Sequence, residues 1–286
     1  MRIPKIWASA AATVETASGK ETPLKCFGWS DSTMDEARSR ASEALARLSA
    51  RVRSGAPFPE PYTYANRPIR EQILEELRDR SGEIEALVTR NGYGAEVLNT
   101  ARLMFVDIDD PPGSGGGIMA LFRTLFGGAK PVPAPDAGLP VGLASFAESH
   151  PQWGFRVYRT RAGWRVLVTH DLFDPASRET AGALTALGCD PKYVELTRVQ
   201  QCFRARLTPK PWRCGVRRPE RLFPREDVVV EREFAEWVKQ YETAGARFAT
   251  CKFVGTLGRG RDCETASRLI ARHDRGTRIG SDLPLA

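Results

Sequence analysis

Histidine is nearly absent from this chain of 286 residues, which carries only His150, His170 and His273. Its six cysteines, Cys26, Cys189, Cys202, Cys214, Cys251 and Cys263, are scattered and form no C-x-x-C pair. These shortages argue against a zinc site and against a disulfide framework, and they predict reduced, structural thiols. The adjacent His273 and Asp274 resemble a phosphohydrolase pair, but that motif needs further histidines. A histidine near a helix C-terminus is the better reading. Long apolar runs are missing too. No stretch approaches a membrane span, and the opening residues MRIPKIWASAAATVETASGKE lack the continuous apolar region of a signal peptide. A cytoplasmic protein with no membrane partner is expected. There is no internal repeat, and the length allows one large domain or two modest ones.

What the chain does have is a concentrated positive charge. Between Arg204 and Arg225 stand eight basic residues against the single acid Glu220, so this window alone matches the net charge of +7. Trp212 and Phe223 are interleaved with it. A basic block is often only a solvated face, but basic residues mixed with aromatics suit a polyanion whose bases stack. Nucleic acid or a nucleotide is the expected partner.

The second concentration is acidic. The stretch RLMFVDIDDPPGSGGG, residues 102 to 117, runs from an apolar segment through three aspartates in four positions into a glycine-rich tract. In an extended chain Phe105, Asp107 and Asp109 share one face while Met104, Val106 and Ile108 share the other. Two carboxylates about 7 Å apart on one face disfavour each other's ionisation unless a cation lies between them. Oxygen-only ligation of that kind suits Mg²⁺ or Mn²⁺. The plainer alternative is a strand end whose aspartates cap the next turn.

The remaining segments read as an α+β chain. A hairpin around ASGK leads to a helix with Ser32 and Asp35 as a capping box and an apolar stripe at Met34, Ala37, Ala41, Ala44, Leu45, Leu48 and Val52. A proline-rich connector and a helix over 68–80 follow. Two extended runs flanking Asn99 and Thr100 then predict an antiparallel hairpin over 95–109, with the aspartates on its second arm. Arg90 and Asn91 in TRNGYG read equally as a turn or as a reach toward the site. Residues 111–140 include thirteen Gly or Pro, the mark of a mobile insertion or lid. A clear hairpin joins GFRVYRT to WRVLVTH through Arg161, Ala162 and Gly163, with Gly163 as the left-handed loop residue. A helix capped by Asp174 and ended by Gly188 comes next, then a short helix after GCDP. In CFRARLTPKPW, Arg204 and Arg206 alternate with core residues, and two more helices and a strand complete the chain. These readings divide it into an N-terminal element, 1–84, a core, 85–225, and a mostly helical C-terminal segment, 226–286. The hairpins at 95–109 and 155–169 are expected in one sheet, because short turns cannot join parallel neighbours.

The order of these pieces resembles the archaeo-eukaryotic primase superfamily, most closely the small primase-polymerase domains of plasmid and phage replication proteins. The family's first motif, hydrophobic-Asp-hydrophobic-Asp, is matched by FVDID with Asp107 and Asp109. Its second, a Ser or Thr, a glycine turn and a histidine, has Thr160, Gly163 and Arg165 in those places. Its third, a hydrophobic residue and Asp, is matched by GCDP with Asp190. A run in related domains, Arg-Leu-Pro-Gly-x-x-Asn-Lys, is similar to RARLTPKPWR and puts Arg206 and Lys210 in the corresponding roles. The likeness covers roughly residues 85–215.

The resemblance implies a largely antiparallel, RRM-like central sheet with flanking helices. It also implies a nucleotidyltransferase that uses Mg²⁺ or Mn²⁺ on Asp107, Asp109 and Asp190 and acts on nucleoside triphosphates with DNA or RNA, in company with other replication or mobile-element proteins. Thr160, Gly163, Arg165, Arg206 and Lys210 would bind the nucleotide, and Arg213, Arg217, Arg218 and Arg221 the nucleic-acid backbone. Arg165 stands where the family has histidine: it offers a fixed fork to phosphate but no proton carrier. Removing either strand aspartate is expected to spare the fold, since carboxylate repulsion is relieved. Three other functions share parts of the pattern. They are a nucleic-acid-binding protein without catalysis, a metal-dependent nuclease and a haloacid-dehalogenase-type phosphatase, whose Asp-x-Asp strand is parallel and near the N-terminus.

Overall fold

The computed structural model describes residues 1–57, 68–110 and 138–286, so most of the connector and nearly all of the expected insertion lie outside the described residues. The chain opens with the antiparallel pair β1 (Ile6–Glu15) and β2 (Glu21–Ser30), on which helix α1 (Met34–Arg53) lies. Its cap is Thr33, whose side chain accepts from Glu36 N at 3.2 Å, rather than the expected Ser32. Ala37 and Ala41 are fully buried, and a Cβ on Gly28 would lie 2.2 Å from the Ala37 carbonyl oxygen. Small residues on both sides are thus what lets the helix lie so close to the strands.

The second layer is the sheet of β3 (Gln72–Arg78), β4 (Ile84–Arg90), β5 (Glu96–Thr100) and, after an excursion through the third layer, β9 (Phe203–Arg206), all antiparallel in the order β3-β4-β5-β9. Residues 72–78 are therefore a strand and not the expected helix. QILEELR has helix-forming residues, but pairing with the apolar β4 outweighs propensity. The glutamates suit an exposed edge, where Glu75 and Glu76 pair with Arg272 and Lys5. Asn91 and Gly94 make the turn between β4 and β5: the Asn91 side chain accepts from Tyr93 N and Ala95 N, and Gly94 has φ +94°.

The third layer holds β6 (Phe105–Asp109), β7 (Gly154–Thr160), β8 (Gly163–Val168) and β10 (Cys251–Gly258), antiparallel in the order β10-β7-β8-β6. The hairpin expected over 95–109 does not form. After Thr100, whose hydroxyl donates to Leu103 O at 2.6 Å, the chain leaves one sheet for the other. The hairpin of β7 and β8 does form, but its loop is the two residues Arg161 and Ala162, because Thr160 already pairs with Gly163. Gly163 is a strand residue with no left-handed backbone. A Cβ there would stand 2.1 Å from Ile108 O, so its smallness serves the close approach of β6.

The helices are α2 (Val141–Ser149), α3 (Arg178–Ala186), α4 (Pro191–Gln200), α5 (Val228–Gly245) and α6 (Glu264–Thr277). Ser177, not Asp174, caps α3, while Gly188 follows its end at φ +81° as expected. One apolar core joins the two four-stranded sheets, with Val88 and Leu98 from one, Phe105, Val157 and Val166 from the other, and Leu143, Leu184 and Leu269 from the helices. The fold is α+β with antiparallel sheets and flanking helices, and strands from all three expected segments pair across it. Among the described residues no helix is long and apolar enough to cross a membrane.

Candidate active site

Register decides what surrounds the aspartates. In the ladder of β6 and β8, Asp107 is directly opposite Arg165 and Asp109 opposite Gly163. Directly opposed side chains lie on one face, and Arg165 Nε donates to Asp107 Oδ1 at 3.1 Å. The guanidinium also donates to the Arg206 carbonyl at 2.8 Å, and its side chain is only 2% exposed. Burial opposes its charge, but Asp107 more than offsets this, so the pKa rises above the ordinary arginine value. Arg165 thus lies in a different setting from the phosphate-gripping arginine expected: it is a buried cation beneath Asp107. Asp109 opposes only a glycine and stays exposed.

Asp190 arrives from a later part of the chain, after β8 and α3. As the N-cap of α4 it accepts from Lys192 N at 2.9 Å, and its own N–H donates to the Asp107 carbonyl at 3.0 Å. The cap therefore seats the third carboxylate beside the other two. Tyr193, one turn into α4, donates its hydroxyl to Arg204 O and accepts from Arg204 N, both at 3.0 Å, which ties the helix to β9. Although Asp109 reaches solvent, its carboxyl is held above the usual range, first by the water its neighbours displace and then by Asp190 and Asp107.

Cations crowd the same place. Lys210 is pushed down to about 8 by burial and by Arg206 and Arg213, against the pull of Asp109 and Asp107. Arg213 is pushed down to about 10 by burial and by Arg206 and Arg161, against Tyr93 and Asp109. Arg206 Nε is buried with no hydrogen-bond partner among the described residues. Thr160 and Gly163 flank the loop carrying Arg161, and Thr160 donates to Gly163 O at 3.0 Å. Asp110 is drawn to the other side, in a two-pronged pair with Arg159 at 2.7 and 2.8 Å.

Asp107, Asp109, Asp190, Arg206, Lys210 and the Thr160–Gly163 turn are thus brought together. Arg213 joins them rather than the outlying basic strip to which the sequence assigned it. Arg161 was missed; its only signal was a charge at the tip of a hairpin already placed beside the second motif. Arg217, Arg218 and Arg221 are exposed. Arg221 borders a separate cavity of about 60 Å³, with Arg90, Asn91 and Phe223, that contains none of the aspartates. Arg90 is structural, donating to Gly94 O at 3.0 Å and pairing with Glu96 and Glu242. His273 is fully buried, bonded to Asp274, and pushed down to about 4 by burial. It belongs to the packing of α6 against β7 and β6, beside Tyr158 and Phe105.

The donors fit a hard divalent ion in chemistry and in charge: three carboxylates, one of them destabilised by the other two. Their side chains are engaged elsewhere, Asp107 with Arg165 and Asp190 with its helix, and among the described residues no three ligating groups surround one point. Compared with known proteins, the chain matches no family model, no curated protein and no solved structure.

Proposed function

We propose that the chain is a metal-dependent nucleotidyltransferase of the primase-polymerase type, adding nucleoside triphosphates to a DNA or RNA strand. One observation carries this reading: three carboxylates crowd together beside a group of crowded cations, and burial followed by like charge disfavours the ionised form of Asp109, Lys210 and Arg213. The two groups do not fully offset each other, since Asp109 stays raised beside Lys210 while Lys210 and Arg213 stay lowered beside Asp109, and a metal-bound triphosphate supplies the missing charge of both signs. The order of motifs that resembles the primase superfamily agrees with it.

In this reading Asp107, Asp109 and Asp190 hold Mg²⁺ or Mn²⁺. When bound, such ions activate an attacking 3′-hydroxyl and offset charge on the departing pyrophosphate. The remaining work belongs to the chain's own groups. Arg206, whose Nε has no hydrogen-bond partner among the described residues, and Lys210 and Arg213 take the triphosphate oxygens, where fixed cations meet charge spread over phosphate in the transition state. Arg161 adds a fourth cation from the hairpin tip. Arg165, bonded to Asp107 Oδ1, fixes that carboxylate's direction.

A second reading, nucleic-acid binding without catalysis, is favoured by the Asp107–Arg165 pair, which already neutralises one ligand. Incubation with Mn²⁺, labelled deoxynucleotides and primed single-stranded DNA separates them. The proposal expects primer extension that is lost in Asp109→Asn. Binding without incorporation supports the second reading, strand degradation points to a nuclease, and inertness overturns all three.

A further inference from the structure

We infer that Trp212 is a stacking platform for a nucleobase, placed beside the cations that take the phosphates; the inference rests on the nucleotide-site reading above. The chain has six tryptophans. Five are buried or half-buried, whereas Trp212 is 52% exposed. Keeping an indole in water forgoes the largest apolar burial any side chain offers, and its position suggests what it gains.

Trp212 lies in the short 3₁₀ turn Pro211–Arg213, between Lys210 and Arg213. The Lys210 ammonium is 5.6 Å from the centre of its ring. The same ammonium is close enough to Asp109 and Asp107 to feel their charge. Lys210 therefore links the indole to the carboxylate end of the site. Tyr93, from the turn between β4 and β5, meets the indole in an edge-to-face contact at 5.3 Å and braces it. A nucleotide joins its base to its phosphates through a single sugar, so the two recognition elements have to be neighbours. Residues 210–213 present a cation, a flat aromatic surface and a second cation within four positions. Stacking of this kind tolerates any base, since every base has a π-face.

The competing account is a surface tryptophan whose only work is to cover Tyr93. Calorimetric titrations in Mg²⁺ with ATP, inorganic triphosphate and an oligodeoxythymidylate distinguish the two. Wild type, Trp212→Ala and Trp212→Phe should bind triphosphate alike. Trp212→Ala should lose about 5- to 150-fold in affinity for a base-bearing ligand, and Trp212→Phe should keep most of it. A loss with ATP assigns the base to the incoming nucleotide, and a loss with the oligonucleotide alone assigns it to the strand; either supports the platform. Trp212→Leu keeps apolar cover over Tyr93 without a π-face and carries the same test should the alanine variant be unstable. Unchanged ATP and oligonucleotide affinities in a folded variant overturn the platform while leaving the triphosphate site in place. If wild type binds none of the three ligands, the nucleotide-site reading and the platform fall together.

Discussion

Asp107 and Asp109 are two residues apart, yet their surroundings give them opposite effects on stability. Asp107 compensates a buried arginine, so removing it leaves the Arg165 charge unpaired. Asp107→Ala should cost about 3 kcal/mol, the low end for breaking a buried pair, because Arg165 keeps its bond to the Arg206 carbonyl. For Asp107 this prediction departs from the expectation that removing either strand aspartate spares the fold, while for Asp109 the expectation stands. Asp109 has a raised pKa, so its ionised form is the unfavourable one, and Asp109→Asn should raise the thermal midpoint at pH 7 without metal. That gain should vanish below the ordinary carboxylate range, where the wild-type group is also protonated. Equal midpoints for the two variants would refute the assignment. Lys210 obeys the opposite sign. With its folded pKa near 8 against an ordinary 10.5, the charged form costs stability at neutral pH, and the cost fades as pH rises through that window. Lys210→Met should therefore stabilise the free protein at pH 7 and less so at pH 10, while triphosphate affinity in wild type falls above pH 8. A flat affinity profile would show that Lys210 does not face the ligand.

At the scale of elements, the β6–β8 ladder places the site, and Gly163 permits that ladder. Gly163→Ala would force a Cβ into the Ile108 carbonyl, so it should destabilise by about 3 kcal/mol, as overpacking does, and disturb Asp109 through its directly paired partner. Preserved stability and metal response in that variant would contradict the register. Alternation in FVDID made the shared face of Asp107 and Asp109 legible, and the Asp-Pro pair marked the start of α4. The partner of β6 was not legible, since no local signal says that the chain changes sheets after Thr100. Nor was β3, where glutamate and leucine spacing imitates a helix and only the neighbouring β4 decides otherwise. The burial of Arg165 was hidden for the same reason: its depth depends on β10 and α6, which come roughly a hundred residues later.

At the scale of the whole molecule the basic window splits up, with Arg204 paired to Glu71 and Arg225 to Glu231. Lys210 and Arg213, with Arg206 beside them, lie close enough to Asp109 to feel its charge, while Arg217 and Arg218 remain exposed. If that outer strip grips a strand, Arg217→Ala with Arg218→Ala should weaken oligonucleotide binding and lower its salt slope by about two units, one per phosphate contact. Triphosphate affinity should stay the same, and an unchanged slope would assign the strip to solubility alone.

Whether the carboxylates and the cations form one metal–nucleotide site is decided by ATP titration of wild type and Asp109→Asn with and without Mg²⁺. A single site predicts a reversal of order: wild type binds more tightly with the ion, because Asp109 helps to hold it, and more weakly without it, because Asp109 then repels the phosphates. If Asp109→Asn binds ATP as well as wild type in the presence of the ion, the carboxylates hold no metal for the nucleotide and the account is wrong.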